Sequence, residues 1–211
     1  GLYERILSPL THRIIVLSSY EYQHAIALGI PAKKLVMGLN GTAPLTHADR
    51  AHIRRDWGIG EGDVVIGFVG RLTRQKDPEL ALRAFARAAN KQTDMRLVMI
   101  GGGELHDACQ TLAKNLGVAD KILWLGATDA RTLYAGMDVL LITSRYEGMA
   151  YIYLEALDAG LPVVTTPVGG SDRCVIHGQN GLIVTADADE ISSALLSLTG
   201  DATTRDAMRF A

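Results

Sequence analysis

Two short polar segments carry residue types that could bind a phosphorylated, polyhydroxylated ligand. The first is GRLTRQKD, in which Arg71, Arg74 and Lys76 are close together. Arginine offers a bidentate fork and lysine a compact charge, which together suit a diphosphate. A helix is predicted to begin directly afterwards, and its N-terminal N–H groups would add to the attraction for an anion. By itself the segment fits a phosphate site and a solvated basic loop equally well.

The second segment, SRYEGMAYIYLE, contains two carboxylates, Glu147 and Glu155. If a helix begins near Met149, Glu155 lies about a turn and a half inside it, and the N–H groups of Gly148 to Ala150 are free to face a ligand. A loop carboxylate, free amides and a helical carboxylate could hold a polyhydroxylated ligand at two points. The alternative is that Glu155 is an ordinary surface residue of a helix, which is the commoner position of glutamate.

The elements around these segments alternate between apolar runs and helical patterns. The runs are continuously apolar, as in a parallel sheet that is covered on both faces. Strands that alternate with helices in this way predict an α/β fold with a doubly wound, Rossmann-like, six-stranded parallel sheet. The predicted strands are 64–70, 95–101, 121–126, 138–144, 162–168 and 181–185, and the predicted helices are 78–90, 104–116, 130–137, 150–159, 170–177 and 189–198.

The helix at 78–90 has the clearest pattern. Its apolar residues recur at steps of three and four, while Arg83 and Arg87 fall on the opposite side. Asp77 and Pro78 have the types expected of an N-cap and of the first helical position. The polar segment GRLTRQKD therefore joins a strand to a well-defined helix.

Ligands of such a sheet bind outside the carboxyl ends of its strands, where both polar segments are predicted to lie. Gly102 follows the second strand and Gly126 ends the third. Either glycine could serve a tight turn or the close approach of a ligand. The first strand is not followed by the GxGxxG spacing of nicotinamide dehydrogenases, which counts against that class.

The chain is predicted to contain parts of two domains. Residues 1–39 hold one strand-helix pattern, with strand 13–18, helix 21–28 and an extended piece at 34–39, which cannot bury its own faces. We therefore predict that 1–39 is a small remnant of an N-terminal domain, that 40–62 is a connection with a helix at 48–57, and that 63–211 is a second domain, incomplete at its end, which contains the doubly wound sheet.

Composition excludes several classes. The 211 residues are 48% hydrophobic with a net charge of −2, which does not suit a nucleic-acid surface. Two cysteines, Cys109 and Cys174, give no disulfide framework, and six scattered histidines give no metal motif. No apolar run approaches the roughly 20 residues of a membrane span. We expect a cytoplasmic protein, and peripheral contact with the cytoplasmic face of a membrane stays open.

The motifs GRLTRQKD, IGGGEL, EGMAYIYLEA, GLPVVTTPVGG and NGLIV occur in this order. Together they resemble the C-terminal domain of the retaining glycosyltransferases of family 4 (glycosyl transferases group 1), which have the GT-B fold. The resemblance covers about residues 10–200. It implies transfer of a sugar, with retention, from a UDP- or GDP-sugar to a saccharide, lipid or other small acceptor, without a metal or cofactor.

The resemblance also implies roles for single residues. The catalytic set would be Arg71 and Lys76 on the donor diphosphate, and Glu147 on the hydroxyls of the donor sugar. The rest of the donor site would comprise Glu155 on the ribose, the amides of Gly148, Met149 and Ala150 near the phosphate, and Gly102 and Gly126 near the base. The absent N-terminal domain would supply the acceptor site, so we expect the isolated chain to be inactive.

Two departures from the family pattern affect this site. Met149-Ala150 replaces a small or aromatic residue that is followed by glycine or proline, and Arg173 replaces a frequent glutamate. Two other functions share the fold class and stay open: a nucleotide-sugar epimerase and a noncatalytic module that binds nucleotide sugars.

Overall fold

The computed structural model describes residues 2–38, 40–45, 48–148 and 151–209. Its main feature is a six-stranded sheet in which every neighbouring pair is parallel. The predicted doubly wound α/β fold is therefore confirmed, with strands shorter than predicted. The strands are β1 Ile14–Val16, β2 Leu35–Met37, β3 Val64–Val69, β4 Met95–Ile100, β5 Ile122–Gly126, β6 Val139–Ile142, β7 Val163–Thr165 and β8 Gly181–Ile183.

Helices cover both faces of this sheet. The cluster on one face includes residues of α4, α5 and α8, and the cluster on the other includes residues of α6 and α7. The helices are α1 Leu2–Leu7, α2 Ser19–Ala27, α3 Arg50–Asp56, α4 Pro78–Ala89, α5 His106–Asn115, α6 Tyr151–Asp158, α7 Ser171–Cys174, α8 Ala188–Thr199 and α9 Ala202–Arg209. Helix α1 was not predicted, and α7 is a single turn where the sequence predicted a longer helix over 170–177.

The strand order is β5-β4-β3-β6-β7-β8. From β3 the chain builds outwards through β4 and β5, and then returns to place β6 against the other side of β3. The direction of the strand order therefore reverses between β3 and β6. Because crevices form at such reversals, the loops after these two strands are the natural place for a ligand.

The N-terminal segment, residues 2–38, forms a two-stranded sheet of its own. Strand β1 pairs in parallel with β2, and Ser18 caps helix α2 by accepting a hydrogen bond from the Glu21 N–H. Val16, Ala25, Ile30 and Leu35 make a small separate core. This separation agrees with the expected remnant, while the division into domains at 39 and 62 stays a prediction.

The helix predicted over 130–137 is wrong. The chain forms two short 3-10 turns there, at Ala130–Thr132 and Tyr134–Gly136. A side chain on Gly136 would lie 2.6 Å from the Trp57 ring and 2.7 Å from Ile53. The segment thus passes so close to Ile53 and Trp57 that position 136 has no room for a side chain, and it carries the buried Tyr134.

Asp138 joins α3 and α9 to the start of β6. Its carboxylate pairs with Arg50 and Arg54 of α3 and with Arg209 of α9, and it accepts the Val65 N–H. Asp138 and Arg54 are both buried. This cluster lies at the amino end of β6, whereas the two polar loops follow the carboxyl ends of β3 and β6. In the described ranges, no helix combines the length and the hydrophobicity that crossing a bilayer requires.

Candidate functional site

Lys76 and Glu147 meet where the strand order reverses. Lys76 follows β3, Glu147 follows β6, and the Lys76 Nζ lies 2.5 Å from the Glu147 Oε1. The Ser144 hydroxyl donates to the same oxygen at 2.7 Å. Only 18% of the Lys76 side chain and 8% of the Glu147 side chain are exposed. The two segments singled out in the sequence are therefore brought together through their charged side chains.

The backbone around Lys76 is held firmly. Asp77 has a left-handed φ of +49°, an uncommon conformation for a residue with a side chain, and it caps α4. The Asp77 carboxylate pairs with the Arg145 guanidinium at 2.8 Å. The Thr143 hydroxyl donates to the carbonyls of Lys76 and Asp77. These contacts across the two loops fix the direction in which Lys76 leaves the backbone.

Arg71 and Gly102 line a cavity of about 660 Å³ beside this pair, together with Ala127 and Asp129. The nearest heavy atom to a side chain added at Gly102 would be 3.8 Å away, and none lies within 4 Å of one at Gly126, where φ is +66°. Both glycines therefore border open space. Arg71 is exposed, and its guanidinium donates a long hydrogen bond of 3.4 Å to the Gln75 side chain.

Gly148 borders the N-terminal segment. The Glu21 Oε1 lies 2.6 Å from where a side chain on Gly148 would begin. The other Glu21 oxygen accepts the Leu17 N–H at 2.7 Å. Arg173, which departs from the family pattern, donates to the carbonyls of Leu17 and Gly38, at 3.3 Å each. Sequence analysis missed Glu21, because no local pattern links it to the Glu147 loop.

A second cavity, of about 310 Å³, lies between the N-terminal segment and the Glu147 loop. Its lining includes Tyr20 of α2, Glu147, Gly169 and Asp172. A side chain on Gly169 would lie 2.2 Å from the Glu147 carbonyl oxygen. Because Gly169 has no side chain, the chain after β7 can pack directly against the backbone of Glu147.

Glu155 is held by two residues of the 3-10 segment. The Tyr134 hydroxyl donates to the Glu155 Oε2 at 2.7 Å, and the Arg131 Nη1 lies 3.9 Å from Oε1. Only 18% of the Glu155 side chain is exposed, so it is not a solvated surface residue of α6. Burial, and then the bond to Glu155, raises the pKa of Tyr134, which keeps its hydroxyl a proton donor.

The family profile described as glycosyl transferases group 1 matches residues 49–210, most of the chain. The chain belongs to this family. The match begins just before α3 and includes both polar loops and Glu155. Residues 1–39, with Glu21, lie outside it.

Curated proteins similar to this group 1 chain are also named as glycosyltransferases. It is 32% identical over 198 residues to an uncharacterized glycosyltransferase of Methanocaldococcus jannaschii, covering 84% of this chain and 50% of that protein. It is 35% identical over 175 residues to a D-inositol 3-phosphate glycosyltransferase of Corynebacterium jeikeium, covering 76% and 42%. A GDP-mannose-dependent phosphatidylinositol monomannoside mannosyltransferase of Mycolicibacterium smegmatis is 31% identical over 163 residues, covering 72% and 42%. The chain spans half or less of these proteins.

Solved structures show the same fold. Anabaena HepE, in complex with UDP and glucose, superposes with a TM-score of 0.89 at 21% identity, covering 99% of this chain and 59% of that one. Staphylococcus aureus TarM, crystallised with UDP, gives 0.85 at 16% identity, covering 99% and 41%. The group 1 chain therefore has the architecture of the GT-B glycosyltransferases.

Two predicted site residues of this group 1 chain, Met149 and Ala150, lie outside the described residues, so the position of their amides stays a prediction. Among the residues that are described, no three or more His, Cys, Asp or Glu side chains are grouped to hold a metal ion. The described part of α6 begins at Tyr151, four residues after Glu147 in the sequence.

Substitution by alanine should have a large effect on stability at Gly101 and a small one at the adjacent Gly102. A side chain on Gly101 would lie 1.9 Å from the Gly70 carbonyl oxygen, whereas Gly102 has room. Because Gly101 also has a φ of +138°, Gly101→Ala is expected to lower the free energy of unfolding by at least about 2 kcal/mol. Gly102→Ala should change it by less than about 1 kcal/mol. Urea denaturation measures both, and equal losses would contradict the packing described for this loop.

Proposed function

We propose that this chain is the donor-binding part of a retaining glycosyltransferase, which moves a sugar from a nucleoside-diphosphate sugar to an acceptor. The observation that carries the proposal is the Lys76–Glu147 pair at the reversal of the strand order. A partly buried cation suits a leaving phosphate, and the adjacent carboxylate suits sugar hydroxyls. In a nucleoside-diphosphate sugar the sugar and the diphosphate are joined by one bond, so one donor can contact both groups.

The leaving diphosphate gains negative charge as the glycosidic bond breaks. A cation that is already in place stabilises this charge more strongly in the transition state than in the ground state. Lys76 is such a cation, because Asp77 and Thr143 fix its backbone before any ligand arrives. Arg71, exposed at the edge of the cavity, would add a second positive charge from the diphosphate's other side.

The remaining parts of the donor follow from this placement. Glu147 accepts hydrogen bonds from the sugar, and Glu155 accepts them from the ribose. The base lies in the cavity that Gly102 and Ala127 line, next to Gly126 in the chain. Met149 and Ala150 would contribute amides beside Gly148. The proposal keeps both UDP and GDP, because HepE was solved with UDP whereas the M. smegmatis relative is named as dependent on GDP-mannose.

The acceptor site belongs, in this proposal, to a further domain. Residues 1–39 would be the end of that domain, 40–62 the connection, and 63–211 the donor-binding domain. The chain spans about half the length of its relatives, which leaves room for such a domain. The isolated chain should therefore bind a nucleoside diphosphate without transferring sugar, and the acceptor would be a saccharide, a lipid or another small molecule.

Incubating the full-length protein with labelled UDP- and GDP-sugars and a panel of acceptors tests the proposal. Labelled acceptor is the expected product. An epimerised donor would instead identify a nucleotide-sugar epimerase, and binding without any product would identify a noncatalytic module. Either of these two results would overturn the proposed function.

Glu147→Gln should distinguish binding of the donor sugar from binding of the nucleotide. The substitution removes a negative charge 2.5 Å from the Lys76 ammonium, so affinity for UDP or GDP alone should be unchanged or slightly higher. Affinity for the complete donor should fall about tenfold, because the amide accepts sugar hydroxyls less well than the carboxylate. Calorimetric titration of the full-length enzyme with donor and product measures this difference. Equal losses for donor and product would remove Glu147 from the sugar site.

A further inference from the structure

We propose that Tyr134 and Arg131 position Glu155 for the nucleotide ribose, and that Arg131 also ties this carboxylate to the connection at residues 42–44. The inference rests on the proposed function and deepens it. It assigns roles to two residues that no motif in the sequence marked. It concerns positioning, since neither side chain is required to touch the ribose itself.

Tyr134 restricts the carboxylate directly. A glutamate side chain has three rotatable bonds, so an unsupported carboxylate would sample several directions. Tyr134 is 1% exposed and lies in a short 3-10 turn, and its hydroxyl donates to the Glu155 Oε2 at 2.7 Å. This bond occupies Oε2 and sets the plane of the carboxylate, which directs Oε1 towards Arg131 and the loop after β5.

Arg131 fixes the other side of the carboxylate. Its Nη1 lies 3.9 Å from the Glu155 Oε1, too far for a direct hydrogen bond but near enough for attraction between the two charges. Oε1 is thus left with capacity to accept a hydroxyl. Arg131 lies two residues after Asp129, which lines the cavity of Arg71 and Gly102. Arg131 and Tyr134 themselves line a separate cavity of about 370 Å³ with Pro44 and Leu45, and the place of Glu155 at the ribose rests on the proposed function.

The same guanidinium holds the connection. Arg131 donates to the Thr42 hydroxyl at 3.0 Å and to the carbonyls of Ala43 and Pro44 at 2.7 and 3.1 Å. One side chain thus contacts both the connection and the carboxylate. A shift of residues 42–44 would move the Arg131 guanidinium and so change its electrostatic attraction for the Glu155 carboxylate.

Tyr153 offers a matched control for Tyr134. It is also fully buried, and its hydroxyl also makes one hydrogen bond of 2.7 Å, to the Thr165 hydroxyl. Tyr134→Phe and Tyr153→Phe therefore remove the same atom from two buried sites. Only the first deletion removes a partner of Glu155.

The experiment titrates the full-length protein with UDP, GDP, their 2′,3′-dideoxy forms and inorganic pyrophosphate. Tyr134→Phe should weaken binding of the preferred ribonucleotide about three- to tenfold, the loss expected for one hydrogen bond. Affinity for the dideoxynucleotide and for pyrophosphate should not change. Arg131→Gln should show the same selectivity, and Tyr153→Phe should leave all affinities unchanged. Thermal unfolding of each variant checks that it is folded.

The outcomes separate the inference from the proposed function. If Glu155→Gln weakens the ribonucleotide selectively while Tyr134→Phe and Arg131→Gln do not, the positioning role is overturned and the ribose role of Glu155 stands. If Glu155→Gln itself has no selective effect, Glu155 does not bind the ribose, and the positioning role of Tyr134 and Arg131 is overturned with it. Equal losses for ribo- and dideoxynucleotides in Tyr134→Phe would indicate a purely structural tyrosine. If the wild-type protein binds neither UDP nor GDP, the proposed function fails and the inference with it.

Discussion

Lys76→Ala in the full-length enzyme is expected to lower the rate of sugar transfer by about 10²- to 10³-fold, as the loss of a preplaced charge at the leaving group does in other enzymes. Affinity for the nucleoside diphosphate should fall about ten- to a hundredfold. Two effects combine here. The diphosphate loses its partly buried cation, and Glu147, whose side chain is 8% exposed, loses its positive partner and repels the incoming anion.

A double-mutant cycle distinguishes these two effects. Lys76→Ala combined with Glu147→Gln should recover part of the lost nucleotide affinity, because the repelling charge is gone, but none of the rate. Lys114→Ala, an exposed lysine of α5, is the control and should change neither quantity. Initial rates and calorimetric titration measure the two quantities. If Lys76→Ala also weakened binding of the bare nucleoside to the same degree, Lys76 would support the fold instead of the phosphate site.

Asp138→Asn is expected to lower the free energy of unfolding by about 3–5 kcal/mol, the usual loss when one partner of a buried ion pair is removed. The carboxylate balances Arg50, Arg54 and Arg209, and an amide would leave these three cations uncompensated. Asp56→Asn on α3 is the control. Its pair with His52 is exposed at 64% and 65%, so the change should stay within about 0.5 kcal/mol. Equal losses in guanidinium denaturation would contradict this account.

The same cluster predicts how stability depends on pH. Burial raises the pKa of Asp138, but the Val65 N–H and the Arg50 and Arg54 charges lower it more, so its net pKa is below the usual 3.8. A lowered pKa in the folded state means that the carboxylate stabilises the fold above about pH 4 and that this contribution is lost as the pH falls further. The wild-type protein should therefore lose stability more steeply in acid than Asp138→Asn.

Local patterns in the sequence determined much of the fold. The apolar runs located all six strands of the main sheet, because a strand buried on both faces must be apolar throughout. Asp77 and Pro78 located the start of α4 through the chemistry of helix caps, and the exposure of Arg83 and Arg87 followed from its periodicity. Where a tertiary contact overrode the local pattern, as at Gly136 under α3, the predicted helix was wrong.

The order of the strands was decided only by the tertiary structure. Periodicity reports which residues are buried, and carries no information about which strand lies beside which. The placement of β6 against β3 brings Lys76 and Glu147 together across 71 residues of sequence. The contact of Glu21 with Gly148 and the hold of Tyr134 and Arg131 on Glu155 have the same origin. The sequence alone determined which side chains could do the chemistry, and long-range packing decided which of them meet.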